Sequence, residues 1–311
     1  MTPFRFLPSI SAAFGLLSLV ALADEPTLFV ATPLTEEGLF TKGIEGPACD
    51  AEGNVYAVSF GQARAIGKVT PDGKAELFVL LPEGSAGNGI RFDRTGKTMY
   101  VADYQGHNVL RVDMTTKAVT VLAHESSMTQ PNDLAIAADG TLYASDPFFK
   151  EKTGRIWRID RDGKVRLLAE NLGATNGIDV SPDGKTLYTN EAHQRDTDPE
   201  HRNIWAFPIQ PDGSLGERKL VKRFDDFGFD GMRCDADGNI YATRHGKGTV
   251  VKVSPGGELL REIEVLGLNP TNICFGGPDG RTAYVTEVDH RRLVQFRVDR
   301  PGLEWELLHK K

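Results

Sequence analysis

Asn176-Gly177-Ile178-Asp179-Val180-Ser181-Pro182-Asp183-Gly184-Lys185-Thr186-Leu187-Tyr188 sets two short apolar runs around an Asp-Gly turn, behind one polar and one small residue. The same phrase runs from Asn88-Gly89-Ile90 to Gly96-Lys97-Thr98-Met99-Tyr100, and from Asp230-Gly231-Met232 to Gly238-Asn239-Ile240-Tyr241. Looser copies start at Glu45-Gly46-Pro47, Asn132-Asp133-Leu134 and Asn272-Ile273-Cys274, and reach Tyr56, Tyr143 and Tyr284. The leading residues stand 43, 44, 44, 54 and 42 positions apart. A period of this length, with about four short β-like runs per unit, is the signature of a propeller blade. In the second unit the runs are Gly89–Phe92, Thr98–Asp103, Asn108–Val112 and Ala118–Leu122. Asp-Gly pairs such as Asp72-Gly73, Asp139-Gly140 and Asp183-Gly184 offer the positive φ of two-residue hairpins, which accounts for much of the glycine, 33 of 311 residues. No segment sustains a 3.6-residue apolar period. The expectation is an all-β chain, a six-bladed β-propeller of four-stranded antiparallel blades. Two segments compete to complete the sixth blade: Thr27–Thr32 and Leu303–Leu308.

Hydrophobic residues make up 40% of the chain and the net charge is −7, a composition that folds. With 43 acidic against 36 basic side chains and no basic block, nucleic acid is not an expected partner. After Arg5 an apolar run leads to Ala21-Leu22-Ala23, a small-x-small cleavage pattern, so residues 1–23 read as a signal peptide and 24–311 as one propeller domain. No other segment is apolar enough to cross a bilayer. The mature chain is expected to be periplasmic or secreted, with no membrane span after cleavage. Cys49, Cys234 and Cys274 lie in apolar runs; they read as buried thiols, with one disulfide plus one free thiol as the alternative in an exported protein. The sequence says nothing of oligomeric state.

Blade topology turns the repeat into a site. If the Asp-Gly turns share one end of the ring, the leading residues share the other. Glu45, Asn88, Asn132, Asn176, Asp230 and Asn272 then encircle the mouth of the central channel. Such a ring offers oxygen donors, and hard divalent cations, Ca²⁺ first, want several of them. Glu45 and Asp230 would repel one another there unless a cation or a proton neutralised them. The other reading is that the Asn-Gly and Asp-Gly pairs only shape turns.

Ile44-Glu45-Gly46-Pro47, Gln130-Pro131-Asn132-Asp133-Leu134, Thr175-Asn176-Gly177-Ile178-Asp179 and Phe229-Asp230-Gly231-Met232-Arg233 resemble the signatures of the senescence-marker-protein/gluconolactonase/luciferin-regenerating-enzyme-like family. The resemblance spans roughly residues 40–290. It implies a divalent metal, usually Ca²⁺, with Glu45, Asn176 and Asp230 as ligands and Asn132 as a fourth ligand or a substrate contact. It also implies a small-molecule substrate, most often a sugar lactone. Animal lactonases of the family carry an Arg two residues before the third-blade Asn; here that position is Gln130, which puts an aldonolactone substrate in doubt.

The chemistry expected is hydrolysis of a lactone or related ester. A bound metal would polarise the carbonyl, and Asp230 would orient or deprotonate the attacking water. No Ser-His-Asp pattern or GxSxG elbow is present. Specificity is expected from loops on the same face, which carry Tyr104, Phe149, His193 and His245; His193 and His245 are candidate substrate-binding groups, as are Asn88, Gln130 and Asn132. Asp103, Asp146, Glu191 and Glu287 end their strands near the mouth, either supporting the site or forming a solvated rim. The competing class is a non-enzymatic propeller that binds a peptide, glycan or small molecule and keeps its metal for structure.

Overall fold

The computed structural model describes residue 1, residues 27–192 and residues 202–309; the segment read as a signal peptide and His193 lie outside that range. Among the described residues, twenty-four strands form six four-stranded antiparallel sheets, each a blade in the predicted frame. The inner strands, in blade order, are Phe40–Cys49, Gly87–Phe92, Leu134–Ile136, Thr175–Val180, Met232–Cys234 and Pro270–Gly276. The second blade runs Gly87–Phe92, Thr98–Asp103, Asn108–Asp113 and Val119–His124, within two residues of expectation.

Apolar side chains occur on both faces of the strands because each blade is covered on both sides. In the first blade Tyr56 and Val58 pack toward the second, while Val55 and Ala57 pack toward the sixth. The strand's two-residue period thus divides one apolar run between two wedges. Six buried clusters among the described residues fill the six gaps between neighbouring blades. Cys49, Cys234 and Cys274 are buried free thiols, so the disulfide alternative is not realised.

The turns differ in one detail from the two-residue hairpins expected. Thr70 N–H donates to Lys74 O at 2.9 Å and Gly73 N–H to Thr70 O at 2.8 Å, with Gly73 at φ +84°. That is a three-residue loop closed by a left-handed glycine. Ala137–Thr141 repeats it, with Gly140 at φ +88°.

Ring closure falls to the N-terminal segment. Thr32–Pro33 pairs with Arg292–Arg297 and becomes the outer strand of the sixth blade. The rival, Leu303–Leu308, is not a strand: Leu303–His309 is a helix. Leu303 and Leu307 are spaced four apart and enter the apolar cluster of blades four and five, while Leu308 packs on that of blades one and two. Glu304 and Glu306 stand in the first turn, where the helix dipole favours acids. Trp305 Nε1–H donates to Gly277 O at 3.0 Å, beside the sixth-blade hairpin, so the helix lies across the end of the channel opposite the mouth. None of the described helices is long and apolar enough to cross a membrane.

Candidate metal centre and cavity

The mouth exists because the inner strands approach one another very closely. Gly46, Gly89, Gly177 and Gly231 follow four of the leading residues, and only Gly46 has a positive φ, +56°. The other three are therefore not turn residues. A Cβ on Gly231 would fall 2.0 Å from Asn272 Cγ, and one on Gly46 would fall 1.9 Å from Asn88 O. Glycine lets adjoining inner strands hydrogen-bond across the ring. Gly177 N–H donates to Asp230 O at 2.9 Å and Gly89 N–H to Asn132 O at 2.8 Å. The leading residues are thereby held shoulder to shoulder, and the turn reading of these pairs does not hold.

Five of the six leading side chains, Glu45, Asn88, Asn132, Asn176 and Asp230, line one cavity of about 450 Å³. Glu45, Asn132 and Asn176 are buried. Glu45 Oε1 and the Oδ1 atoms of Asn88, Asn132 and Asn176 are buried without a hydrogen-bond donor. Leaving four such acceptors unsatisfied costs on the order of 1–3 kcal/mol each. Oxygen donors lining one cavity, with two carboxylates among them, fit a hard divalent cation. Among the described residues no group of three or more His, Cys, Asp or Glu gathers, so the donor chemistry here is amide plus carboxylate.

The electrostatics fit as well. Burial raises the proton affinity of Glu45, and the nearby Asp133 charge adds to it. Burial does the same for Asp230, with Glu45 as the second cause. Each carboxylate makes the other harder to ionise, and a cation between them would reverse this.

Asn272, the sixth leading residue, does not reach the cavity. Its Nδ2–H donates to Glu45 Oε2 at 3.0 Å, and its Oδ1 accepts from Arg233 Nη1 at 3.2 Å. Beneath it Asp133 takes Arg233 Nη1 at 2.9 Å and Arg91 Nη1 at 3.3 Å. This fully buried layer of charge closes the channel under the oxygen cluster. Sequence reading missed it, although Arg91 and Arg233 sit on inner strands and Asp133 immediately precedes one.

Thr41, Lys42, Ser59, Tyr104 and Phe149 complete the cavity wall. Gln130 stands one residue back: its Nε2–H donates to the Tyr104 hydroxyl at 2.5 Å. His245 is half-buried in the loop after Arg244 and is not among the cavity-lining residues. Thr41, Lys42 and Ser59 were missed; the first two precede the Glu45 motif on the same strand. Asp103, Asp146, Glu191 and Glu287 are buried loop anchors, not a solvated rim. Asp146 accepts from the backbone N–H of Thr129 and Gln130, and Asp103 from those of Ala86 and Gly106.

Residues 45–289 match the SMP-30/Gluconolactonase/LRE-like region. A gluconolactonase of Zymomonas mobilis is 27% identical over 293 residues, covering 83% of this chain and 80% of that one. A 6-deoxy-6-sulfogluconolactonase of Pseudomonas putida is 29% identical over 151 residues, 48% of this chain and 50% of that one. Among solved structures, regucalcin of Agrobacterium tumefaciens, described as a calcium-binding protein, superposes with a TM-score of 0.73 at 22% identity, over 89% of this chain and 97% of that one. The match begins at Glu45 and takes in every leading residue of the ring. The chain belongs to the SMP-30/gluconolactonase/LRE-like family.

Proposed function

We propose that this chain is an exported hydrolase that opens a lactone or related ester in the 450 Å³ cavity. Glu45, Asn132, Asn176 and Asp230 would hold a divalent cation, Ca²⁺ foremost. The observation that carries the reading is the set of buried oxygens without donors at the base of a cavity large enough for a small ring. The relatives named gluconolactonase and sulfogluconolactonase support a lactone substrate class. The calcium-binding neighbour supports the choice of ion.

A cation bound there supplies Lewis acidity toward the carbonyl oxygen and charge for the oxyanion that forms on attack. Asp230, a carboxylate that lines the cavity, is the group suited to take a proton from water. Water adds to the carbonyl as its proton passes to Asp230. The tetrahedral adduct then expels the ring oxygen, which recovers that proton, and the product is the open hydroxy acid. Tyr104 and Phe149 form a wall against which the rest of the substrate packs, and Asn88 is a further polar contact. Gln130, tied to Tyr104, leaves no guanidinium at this point to clamp a sugar acid.

The test compares EDTA-treated with Ca²⁺-restored protein on a panel of lactones and aryl esters, beside Asp230→Asn and Glu45→Gln. Metal-dependent turnover lost in both variants is expected. Folded protein with no metal-dependent turnover on any member of the panel would sink the hydrolase reading and favour a binding propeller.

A further inference from the structure

The terminal helix lies outside the family-matched residues 45–289, yet it sends a carboxylate into the channel. Glu304 Oε1 accepts Phe275 N–H at 2.7 Å, and its Oε2 lies 3.5 Å from Arg233 Nε. The Glu304 side chain is 18% exposed and that of Arg233 only 1%. From Arg233 the contacts climb the axis: Nη1 reaches Asn272 Oδ1 at 3.2 Å, and Asn272 Nδ2 reaches Glu45 Oε2 at 3.0 Å. One polar line therefore joins the closed end of the channel to the oxygen cluster at its open end.

The charges along that line explain why the helix matters. Arg91 and Arg233 put two positive charges beneath a site suited to a dication, and Asp133 lies between them. Arg233 Nε and Nη2 are both buried without a hydrogen-bond partner, so neighbouring anions compensate the guanidinium charge by ion pairing alone on that side. Glu304 is one of them, and it is the one supplied from outside the blades. Without it, the Arg233 charge would act more strongly on whatever occupies the cluster. The carboxylate is thus ion-paired to the same guanidinium whose Nη1 donates to the Asn272 amide oxygen.

We propose that Glu304 is a positioning residue for the metal centre: through Arg233 and Asn272 it sets the affinity of the oxygen cluster for a divalent cation. This rests on the metal reading above. A structural helix that merely plugs the channel would affect stability alone. A helix that acts through Glu304 would affect cation affinity even where stability is matched.

The experiment measures Ca²⁺ affinity by calorimetry, and Tb³⁺ affinity by luminescence, on the full chain and two variants. Glu304→Gln removes the charge with nearly the same shape. Leu308→Ala loosens the helix against blades one and two and removes no charge. Glu304→Gln should weaken cation binding by about tenfold. Leu308→Ala should lower Tm and leave affinity within about twofold, inside ordinary side-chain context effects. Unchanged affinity in folded Glu304→Gln, or an equal loss in both variants, overturns the proposal. If Glu304→Gln does not fold, Glu304→Asp takes its place: it withdraws the charge by one methylene, and a two- to threefold loss is expected on the order set by the added distance. No loss there also overturns it. A wild-type chain that binds neither ion refutes the metal reading itself, a result distinct from wild-type binding with no effect of Glu304.

Discussion

Glu45 and Asp230 face one buried mouth, and in the absence of a cation their mutual repulsion and burial work against the fold. Neutralising either therefore has opposite effects on stability and function. Asp230→Asn and Glu45→Gln should each raise the Tm of the metal-free protein, abolish the Tm gain on adding Ca²⁺, and lower kcat/KM by about a hundred- to a thousandfold, the scale of losing a charge-stabilising group. Scanning calorimetry with and without EDTA checks the first two, and steady-state kinetics the third. A variant that loses Tm in EDTA would show that the carboxylate serves the fold instead. Tyr104 offers a gentler test of the cavity wall. Its hydroxyl accepts from Gln130, which leaves its own proton to donate toward the cavity. Tyr104→Phe should raise KM about five- to tenfold with kcat little changed, the loss of one hydrogen bond to substrate. A fall in kcat at constant KM would place Tyr104 in the chemical step.

The inner strand is the element on which the site depends, and glycine is what brings its copies together. Gly231→Ala puts a methyl 2.0 Å from Asn272 Cγ and should cost about 1–3 kcal/mol, read as a drop in urea midpoint at constant slope. Gly256→Ala, with nothing nearer than Ser254 Oγ at 3.7 Å, is the matched control and should stay within about 0.5 kcal/mol. The pairing of a polar leader with glycine was legible because the repeat displays it several times. Its structural cause was not legible: Asn-Gly as a dipeptide reads equally as a turn, and only the ring shows that backbone approach is the constraint. Asn272 shows the same limit from the other side. It is followed by Ile273, not glycine, but Asn132 is followed by Asp133 and still lines the cavity, so the dipeptide does not mark which leader turns toward Arg233. The terminal helix was missed because seven residues give too few turns for a periodic signal, and Leu-Glu-Trp-Glu-Leu-Leu suits an edge strand as well. What decides between them is tertiary: the outer edge of the sixth blade is already taken by Thr32–Pro33.

At the scale of the whole molecule, the channel concentrates acid groups that burial holds toward the protonated form, and this couples stability to pH. Both folded-state shifts are upward, Glu45 to about 7, while the unfolded chain titrates near the ordinary carboxylate value. A group raised in this way contributes stability that is complete below its unfolded pKa and is lost as pH rises through the folded value. The metal-free protein should therefore lose Tm between about pH 5 and pH 8. Cation binding runs the other way, because the same carboxylates must be ionised to act as ligands. Calcium should add little at pH 5. At pH 8, with free ion at a hundred times Kd, it should add about 2.7 kcal/mol, a rise of several degrees in Tm. Binding near neutral pH should also release protons, so the calorimetric heat will depend on the ionisation enthalpy of the buffer. Parallel pH slopes in EDTA and in Ca²⁺, or a heat independent of buffer, would mean that Glu45 and Asp230 do not hold the ion. In Asp230→Asn the EDTA slope should flatten, because one of the two carboxylates whose folded-state proton affinity is raised has been removed.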